Sequence, residues 1–216
     1  MTVTLQNRIT PFGDIVTNPA RGLFTGNRGI LHDAATRRLG RRRWTTKAWI
    51  CCALDYKGQR RDVMGANGHD GKAGWTELFF LDEATALAAG HRPCFACRRE
   101  AAERFRTLWR AAHGAPEAGV REIDAILHLE RLASGASRKP LSLIDLPGLP
   151  DGAMVASGND AWLIAGRMAR PWAFDGYAPA RPLGALAAKP LFLLTPPSTV
   201  KVLRQGYRPA LHQSAQ

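Results

Sequence analysis

The sequence lacks any long hydrophobic run. No apolar stretch approaches the roughly 18 to 20 residues that a membrane-spanning helix needs, and residues Met1 to Thr10 hold no apolar signal-peptide core. Cysteine is scarce, and it occurs as two tight pairs, Cys51 with Cys52 and Cys94 with Cys97. Such pairs do not resemble the disulfide framework of a small secreted protein. We therefore expect a cytoplasmic protein in a reducing compartment, with no membrane partner.

Acidic residues are few relative to basic ones. The chain has 18 Asp and Glu against 30 Lys and Arg, a formal net charge of +12 at pH 7. Residues 1–61 alone hold 12 Lys and Arg against 3 Asp and Glu. Most of these basic residues are arginines, and the planar guanidinium suits bidentate contact with phosphate. The charge predicts a nucleic-acid partner, DNA being the expected one. A solvated basic face, or a patch for acidic proteins or anionic lipid, is the alternative.

The densest basic run lies just before a predicted strand, and its members are Arg37, Arg38, Arg41, Arg42 and Arg43. We expect them to contact phosphates, which gives affinity without base specificity. Arg28 is expected to join them from a glycine-containing loop over residues 27–33. In the same loop, His32 is a candidate general base or metal ligand. An ordinary turn, with its Asn and Asp in their usual turn roles, is the alternative.

Glycine and proline interrupt the first third of the chain every few residues, which predicts turns and strands there. Residues 44–56 alternate between two faces, so they predict a strand with Cys51 and Cys52 on opposite sides. At most one of these two cysteines can then serve a given site. Helices are predicted over residues 83–89, 98–113, 116–133 and 196–206, and further strands over residues 153–156, 161–165 and 190–194.

These elements predict an α+β fold with an N-terminal antiparallel sheet, a central zinc-knuckle-like helical segment and a small β-rich C-terminal lobe. We assign residues 1–140 to a main basic domain that contains the knuckle. Residues 141–216 are assigned to the C-terminal lobe packed on it.

The Cys-x-x-Cys motif formed by Cys94 and Cys97 is the sharpest chemical feature. Two thiolates at this spacing, in a turn that leads into a helix, can hold one zinc ion, and the helix dipole favours the thiolate form. A redox dithiol uses the same spacing. However, a short helix and Gly90 precede the motif here, whereas a thioredoxin-like site would have a strand leading into it.

The surrounding residues extend this motif. Phe79-Phe80, Glu83-Ala84, Leu87-Ala88-Ala89-Gly90 and His91-Arg92-Pro93-Cys94-x-x-Cys97-Arg98 follow one another within residues 79–98. This stretch resembles the second half of the Ada-type zinc-binding module, found in the adaptive-response DNA alkylation repair protein and appended to some nucleases. The resemblance implies a zinc knuckle close to DNA. The family's first pair, Cys-x-x-x-Cys, which includes the methyl acceptor, has no counterpart in this sequence.

The resemblance implies two further zinc ligands beside Cys94 and Cys97. Cys52 and His69 are the leading candidates, and Cys51, Asp70 and His91 remain alternatives. Because zinc prefers four ligands of the Cys and His type, each of these side chains is chemically suitable. The competing interpretation is an Ada-like fold that has lost its metal, with Cys94 and Cys97 as buried thiols.

A last polar group lies on the predicted helix 116–133. Asp124, His128 and Arg131 occupy positions i, i+4 and i+7 of an otherwise largely apolar helix. A carboxylate four residues before a histidine can orient its imidazole, so His128 with Asp124 is a second catalytic candidate beside His32. The leading expectation remains a DNA-binding protein with a zinc site. A metal-assisted DNA-processing enzyme, either nuclease or repair, is the first alternative, and a non-enzymatic protein-interaction module is the second.

Overall fold

The computed structural model describes residues 4–60, 74–136 and 138–216. Its strands are β1 (Gln6–Ile9), β2 (Ile15–Thr17), β3 (Phe24–Asn27), β4 (Ile50–Ala53), β5 (Asp55–Tyr56), β6 (Gln59–Arg60), β7 (Leu78–Phe80), β8 (Arg92–Pro93), β9 (Pro140–Leu141), β10 (Met154–Ser157), β11 (Asp160–Ala165), β12 (Met168–Ala173), β13 (Gly176–Tyr177), β14 (Arg181–Pro182) and β15 (Leu191–Leu193). Its α-helices are α1 (Glu83–Ala88), α2 (Arg99–His113), α3 (Val120–Ala136) and α4 (Pro197–Arg204). Short 3₁₀ helices cover Leu143–Gly148, Leu183–Leu186 and Gln213–Ala215. In the part of the chain described, no helix is long and apolar enough to cross a membrane.

The N-terminal sheet has the strand order β2-β1-β7-β3-β4-β8. It was expected to be antiparallel, but it is mixed, because β1 pairs with β7 and β4 pairs with β8 in parallel. Both β7 and β8 run in the direction of β4, and α1 connects them as a short crossover. The C-terminal sheet has the order β13-β12-β11-β10-β15-β9, with β14 also paired to β12, and it is antiparallel throughout. The predicted α+β class is confirmed.

The strand predicted over residues 44–56 is shorter than expected. Residues 44–49 are irregular, because the backbone N–H groups of Thr45 and Thr46 both donate to the carbonyl oxygen of Arg28, at 2.8 and 3.2 Å. This local arrangement takes donors that a sheet ladder would otherwise use. The strand proper is β4, followed by the two-residue β5.

The sequence signals predict the start of α1 and the end of α2, but not the start of α3. Asp82 accepts from the backbone N–H of Thr85 and so caps α1, and Gly114 ends α2 in the left-handed conformation at φ +58°. The helix predicted from residue 116 begins only at Val120. Residues 115–118 form a turn instead, in which the N–H of Ala118 donates to the carbonyl of Ala115 at 3.0 Å.

The hydrophobic core is shared by the N- and C-terminal parts of the chain. One buried cluster joins Leu81 and Ala84 to residues of β10 and β11. A second joins Phe105 and Trp109 of α2 to Val202 and Leu203 of α4. The boundary predicted after residue 140 falls within β9, and these buried clusters extend across it.

Two adjacent buried carboxylates at the start of α1 join the same parts by hydrogen bonds. Asp82 accepts from the hydroxyl of Tyr177 at 2.9 Å and from the N–H of His212 at 3.2 Å. Glu83 accepts from the hydroxyl of Tyr207 at 2.6 Å and from the N–H of Ala210 at 2.9 Å. Because both carboxylates are buried, these donors supply interactions that water would otherwise make.

Candidate metal centre

Three cysteines meet at the edge of the N-terminal sheet. Cys52 lies on β4, and Cys94 and Cys97 lie in the turn that follows β8. The parallel pairing of β4 with β8 brings the two segments together, and the N–H of Cys94 continues the ladder by donating to the carbonyl of Cys51 at 3.0 Å. The three Sγ atoms all lie within 4.8 Å of one another. This distance allows all three sulfurs to bind a single metal ion, at about 2.3 Å from a zinc ion.

The turn that carries Cys94 and Cys97 is fixed from both sides. The N–H of Arg98 donates to the carbonyl of Cys94 at 3.0 Å and closes the turn, and α2 begins at the next residue. The side chain of Arg98 donates to the carboxylate of Glu83 at 2.8 Å and lies over the ring of Phe24 at 4.3 Å. The N-terminus of a 15-residue helix therefore follows directly after the turn that carries Cys94 and Cys97.

The sulfurs differ in their affinity for protons. The pKa of the Cys94 thiol is lowered, first because Cys52 and Cys97 hydrogen-bond to its sulfur, and then because the N–H groups of Cys97 and Ala96 point at it. The pKa of the Cys52 thiol is raised by the same contacts and by burial. The Cys94 sulfur therefore loses its proton more readily than the Cys52 sulfur does, and the thiolate is the form that binds a soft divalent cation.

Cys51 does not belong to the cluster. Its side chain packs on the opposite face of β4, in a buried group with Ile9 and Leu78. Its sulfur accepts from Nη1 of Arg98 at 3.4 Å, and burial raises its pKa. The alternation predicted for the two neighbouring cysteines is confirmed, and Cys52 is the one that joins the Cys-x-x-Cys pair.

The remaining ligand candidates have different outcomes. His91 is fully buried between Phe80 and Trp49, and its Nε2 accepts from Nε of Arg28 at 3.2 Å, so it is not a ligand of this cluster. His69 and Asp70 lie outside the described residues. Within the ranges 4–60, 74–136 and 138–216, the three cysteines are the only group of three or more potential ligands found this close together. The geometry therefore shows three cysteines that could hold a metal ion.

The predicted catalytic residues do not assemble. Asp124 binds Arg92 through both carboxylate oxygens, at 2.7 and 2.8 Å, instead of orienting His128. The ring of His128 packs edge-on against Trp44, its Nδ1 has no partner, and its pKa is lowered by burial and by nearby cations. His32 is held elsewhere by the carbonyl of Gln6, at 2.9 Å from its Nε2. Among the described residues, His32, Asp124 and His128 do not form a group of three potential ligands within 4.8 Å of one another.

The predicted phosphate-binding arginines divide into two groups. Arg37, Arg38, Arg41, Arg42 and Arg43 are all exposed in the loop between β3 and β4, which we call the arginine loop. Arg28 is 1% exposed and therefore does not belong to that surface. Its guanidinium donates to the carbonyl of Gly13 at 2.9 Å and stacks at 3.8 Å on the ring of Trp49. The sequence did not distinguish the two groups, because nothing local to Arg28 indicates burial.

Comparisons with protein-family models, with curated protein sequences and with solved structures find no match to this chain.

Proposed function

We propose that this chain is a nucleic-acid-binding protein, with DNA as the expected partner, whose fold is cross-linked by one zinc ion at Cys52, Cys94 and Cys97. The observation that carries the proposal is the exposure of all five arginines of the arginine loop. Among the described residues, none of the five forms a salt bridge with a carboxylate. Their charge is therefore available to an external polyanion, since no ion pair within the described residues neutralises it.

The arginine loop has a fixed backbone. The N–H of Gly40 donates to the carbonyl of Leu31 at 2.8 Å, and the N–H of Asp33 donates to the carbonyl of Arg38 at 3.0 Å. His32 forms an isolated bridge with Leu39 and fastens the loop to β1 through the carbonyl of Gln6. A loop held in this way loses less conformational entropy on binding than a free segment would.

The proposed zinc ion would support the same region. The arginine loop leads directly into β4, which carries Cys52, and the metal would tie that strand to the turn before α2. The ligand group consists of three cysteine sulfurs. Sulfur ligands suit zinc better than magnesium or calcium, because those two ions prefer oxygen ligands. His69 remains a candidate for the fourth ligand.

The enzymatic alternative receives less support. It requires a base and a carboxylate at one cleft, and the carboxylate of Asp124 is already bound by Arg92. His32 is engaged by a backbone carbonyl and acts as an anchor of the arginine loop. We therefore assign binding, rather than cleavage, to this surface.

The test is the salt dependence of binding to a short DNA duplex. Each phosphate contact contributes a slope of about 0.9 to the plot of log affinity against log salt concentration. Replacement of Arg38, Arg41 and Arg42 by alanine should reduce that slope by about 2 to 3 and weaken binding to all sequences alike. Arg43 is kept in this variant, because it also lines a cavity between the N- and C-terminal parts of the chain.

The matched control removes the same amount of charge from a different part of the surface. Arg121, Arg167 and Arg208 are exposed and lie outside the arginine loop, so their replacement by alanine should leave most of the slope in place. Equal losses in the two triple variants would mean that only net charge matters. Absence of binding by the wild-type protein at low salt would refute the proposal.

A further inference from the structure

The side chain of Trp44, which directly follows Arg43 in the arginine loop, is exposed. The chain has six tryptophans, and all of them lie in the described ranges. Trp44 is 38% exposed, whereas the other five are buried or partly buried: Trp49, Trp75, Trp109, Trp162 and Trp172. Because burial of so large an apolar ring is favourable, tryptophan is highly buried in most folded proteins. An exposed tryptophan is therefore a candidate for contact with a partner.

The backbone that follows Trp44 is held in place by three hydrogen bonds. The N–H groups of Thr45 and Thr46 both donate to the carbonyl of Arg28, at 2.8 and 3.2 Å. The hydroxyl of Thr45 accepts from the N–H of Ile30 at 3.0 Å. Because these bonds restrict the backbone, the indole would lose less conformational entropy on binding than an aromatic side chain on a free segment would.

The indole ring of Trp44 is supported from the protein side by α3. Its centroid lies 4.5 Å from that of the His128 ring, and the two ring planes meet at 78°. His128 is itself buried on α3, so the contact joins the exposed ring to a fixed part of the fold. The edge-on arrangement is one that aromatic rings prefer. The indole is therefore positioned by the protein while part of its surface stays accessible to a partner.

Exposed cations precede and follow Trp44 along the chain. Arg41, Arg42 and Arg43 come directly before it, and Lys47 comes three residues after it. All four side chains are exposed. Residues 34–54 contain no Asp or Glu, so no acid within this stretch offsets their charge. A negatively charged chain that follows this surface would therefore meet cations on both sides of the indole.

An exposed aromatic ring between cations is typical of surfaces that bind single-stranded nucleic acid. The cations contact the phosphate backbone, and the ring stacks on a base. Inside a duplex, both faces of a base are covered by its neighbours, so a side chain cannot stack there without unstacking the helix. An unpaired base has a free face. Trp44 can therefore distinguish a single-stranded segment from a duplex, whereas phosphate contacts from the arginines are available to both.

We propose that the arginine loop binds a single-stranded segment of nucleic acid, with the indole of Trp44 stacked on one unpaired base. This inference rests on the proposed function and specifies the form of nucleic acid that the surface takes. The arginines supply the phosphate contacts and the salt dependence, and Trp44 supplies a contact that only an unpaired base can make. The stacking is tolerant of sequence, because every base has an aromatic face.

The experiment is a titration of three dye-labelled DNA probes with the whole protein, followed by fluorescence anisotropy. The probes are a mixed-sequence single strand, a strand of the same length made of abasic sites, and the blunt duplex of the first sequence. The abasic strand keeps the phosphates and lacks the bases. The wild type should bind the base-containing strand about tenfold more tightly than the abasic strand, the expected gain from one stacked base.

The variant Trp44→Ala should lose about this factor of ten on the base-containing strand and bind the abasic strand and the duplex as the wild type does. Its salt slope should be unchanged, because the indole carries no charge. Trp44→Phe keeps an aromatic ring and should recover most of the loss. Phe174→Ala is the matched control, since it removes a partly buried aromatic ring that follows β12 in the C-terminal sheet, and it should bind all three probes as the wild type does.

The outcomes separate this inference from the proposed function. Equal affinity of the wild type for the base-containing and abasic strands would overturn the stacking and leave the phosphate contacts in place. Unchanged binding of the base-containing strand by Trp44→Ala would do the same. An equal loss by Trp44→Ala on all three probes would also overturn the stacking, because it would mean that the arginine loop has been displaced. Absence of wild-type binding to every probe at low salt would instead refute the proposed function, and this inference with it.

Discussion

The adjacent cysteines Cys51 and Cys52 allow a direct test of the metal centre. The two residues are neighbours in sequence and both are buried, but only Cys52 faces Cys94 and Cys97. Cys52→Ser should therefore abolish stoichiometric zinc binding, whereas Cys51→Ser should retain about one zinc per chain. Serine replaces a thiolate ligand by a hydroxyl, which is a poor ligand for zinc at neutral pH.

The expected zinc-dependent shift in melting temperature follows from the linkage between zinc binding and folding. Zinc at 100 times its dissociation constant stabilises the folded state by about 2.7 kcal/mol. For a chain of 150 to 250 residues, about 1 kcal/mol shifts the melting temperature by roughly 2 to 4 °C. Addition of zinc to metal-free protein should thus raise the melting temperature of the wild type and of Cys51→Ser by about 5 to 10 °C. The same addition should leave Cys52→Ser unchanged.

The assay has two independent readouts, metal content by mass spectrometry of the native protein and thermal unfolding with and without zinc. Cys51→Ser is itself expected to lose about 1 to 3 kcal/mol, because it places a hydroxyl in an apolar cluster. The comparison that decides is therefore the zinc-dependent shift, not the absolute melting temperature. Equal zinc content in the two variants would refute the assignment of Cys52 as a ligand.

Two further predictions concern buried charge. Arg92→Met should cost about 3 to 5 kcal/mol in urea unfolding, because it leaves the buried carboxylate of Asp124 unpaired; the double variant Arg92→Met, Asp124→Leu should recover most of that loss, and no recovery would contradict the pairing. Burial and the neighbouring carboxylates of Asp82 and Glu83 raise the pKa of Tyr177 and Tyr207 above the usual value of about 10. The folded state then keeps protons that the unfolded state loses, so the free energy of unfolding should fall as pH rises above about 10. Thermal melts between about pH 8 and 11 should show a weaker decline in the Tyr177→Phe, Tyr207→Phe double variant, and an equal decline would exclude these tyrosines as the cause.

Local signals were sufficient to predict the elements around the three clustered cysteines. Asp82 as the cap of α1, Gly114 as the end of α2, and the opposite faces of Cys51 and Cys52 all follow from rules that act within a few residues. The prediction of Cys94 and Cys97 in a turn before a helix holds for the same reason.

Such local rules do not predict which side chains pair when they are far apart in the sequence. The sequence favoured His128 as the partner of Asp124, because it lies four residues further along the same helix. The actual partner is Arg92, which is 32 residues away. Arg28 and Arg131 likewise meet only because both reach the ring of Trp49. A single sequence records which side chains exist, but it does not record which of them share a buried space.

The paired carboxylates Asp82 and Glu83 have a consequence for how the chain is made. Four of their donors, Tyr177, Tyr207, Ala210 and His212, emerge from the ribosome long after the carboxylates themselves. Until then, the two acids have the earlier donors Thr85 and Arg98, but they lack the four later hydrogen bonds that offset the cost of their burial. We therefore expect the N-terminal part to remain incompletely closed during synthesis, and the whole chain to fold as one cooperative unit once the last donors are available, rather than domain by domain.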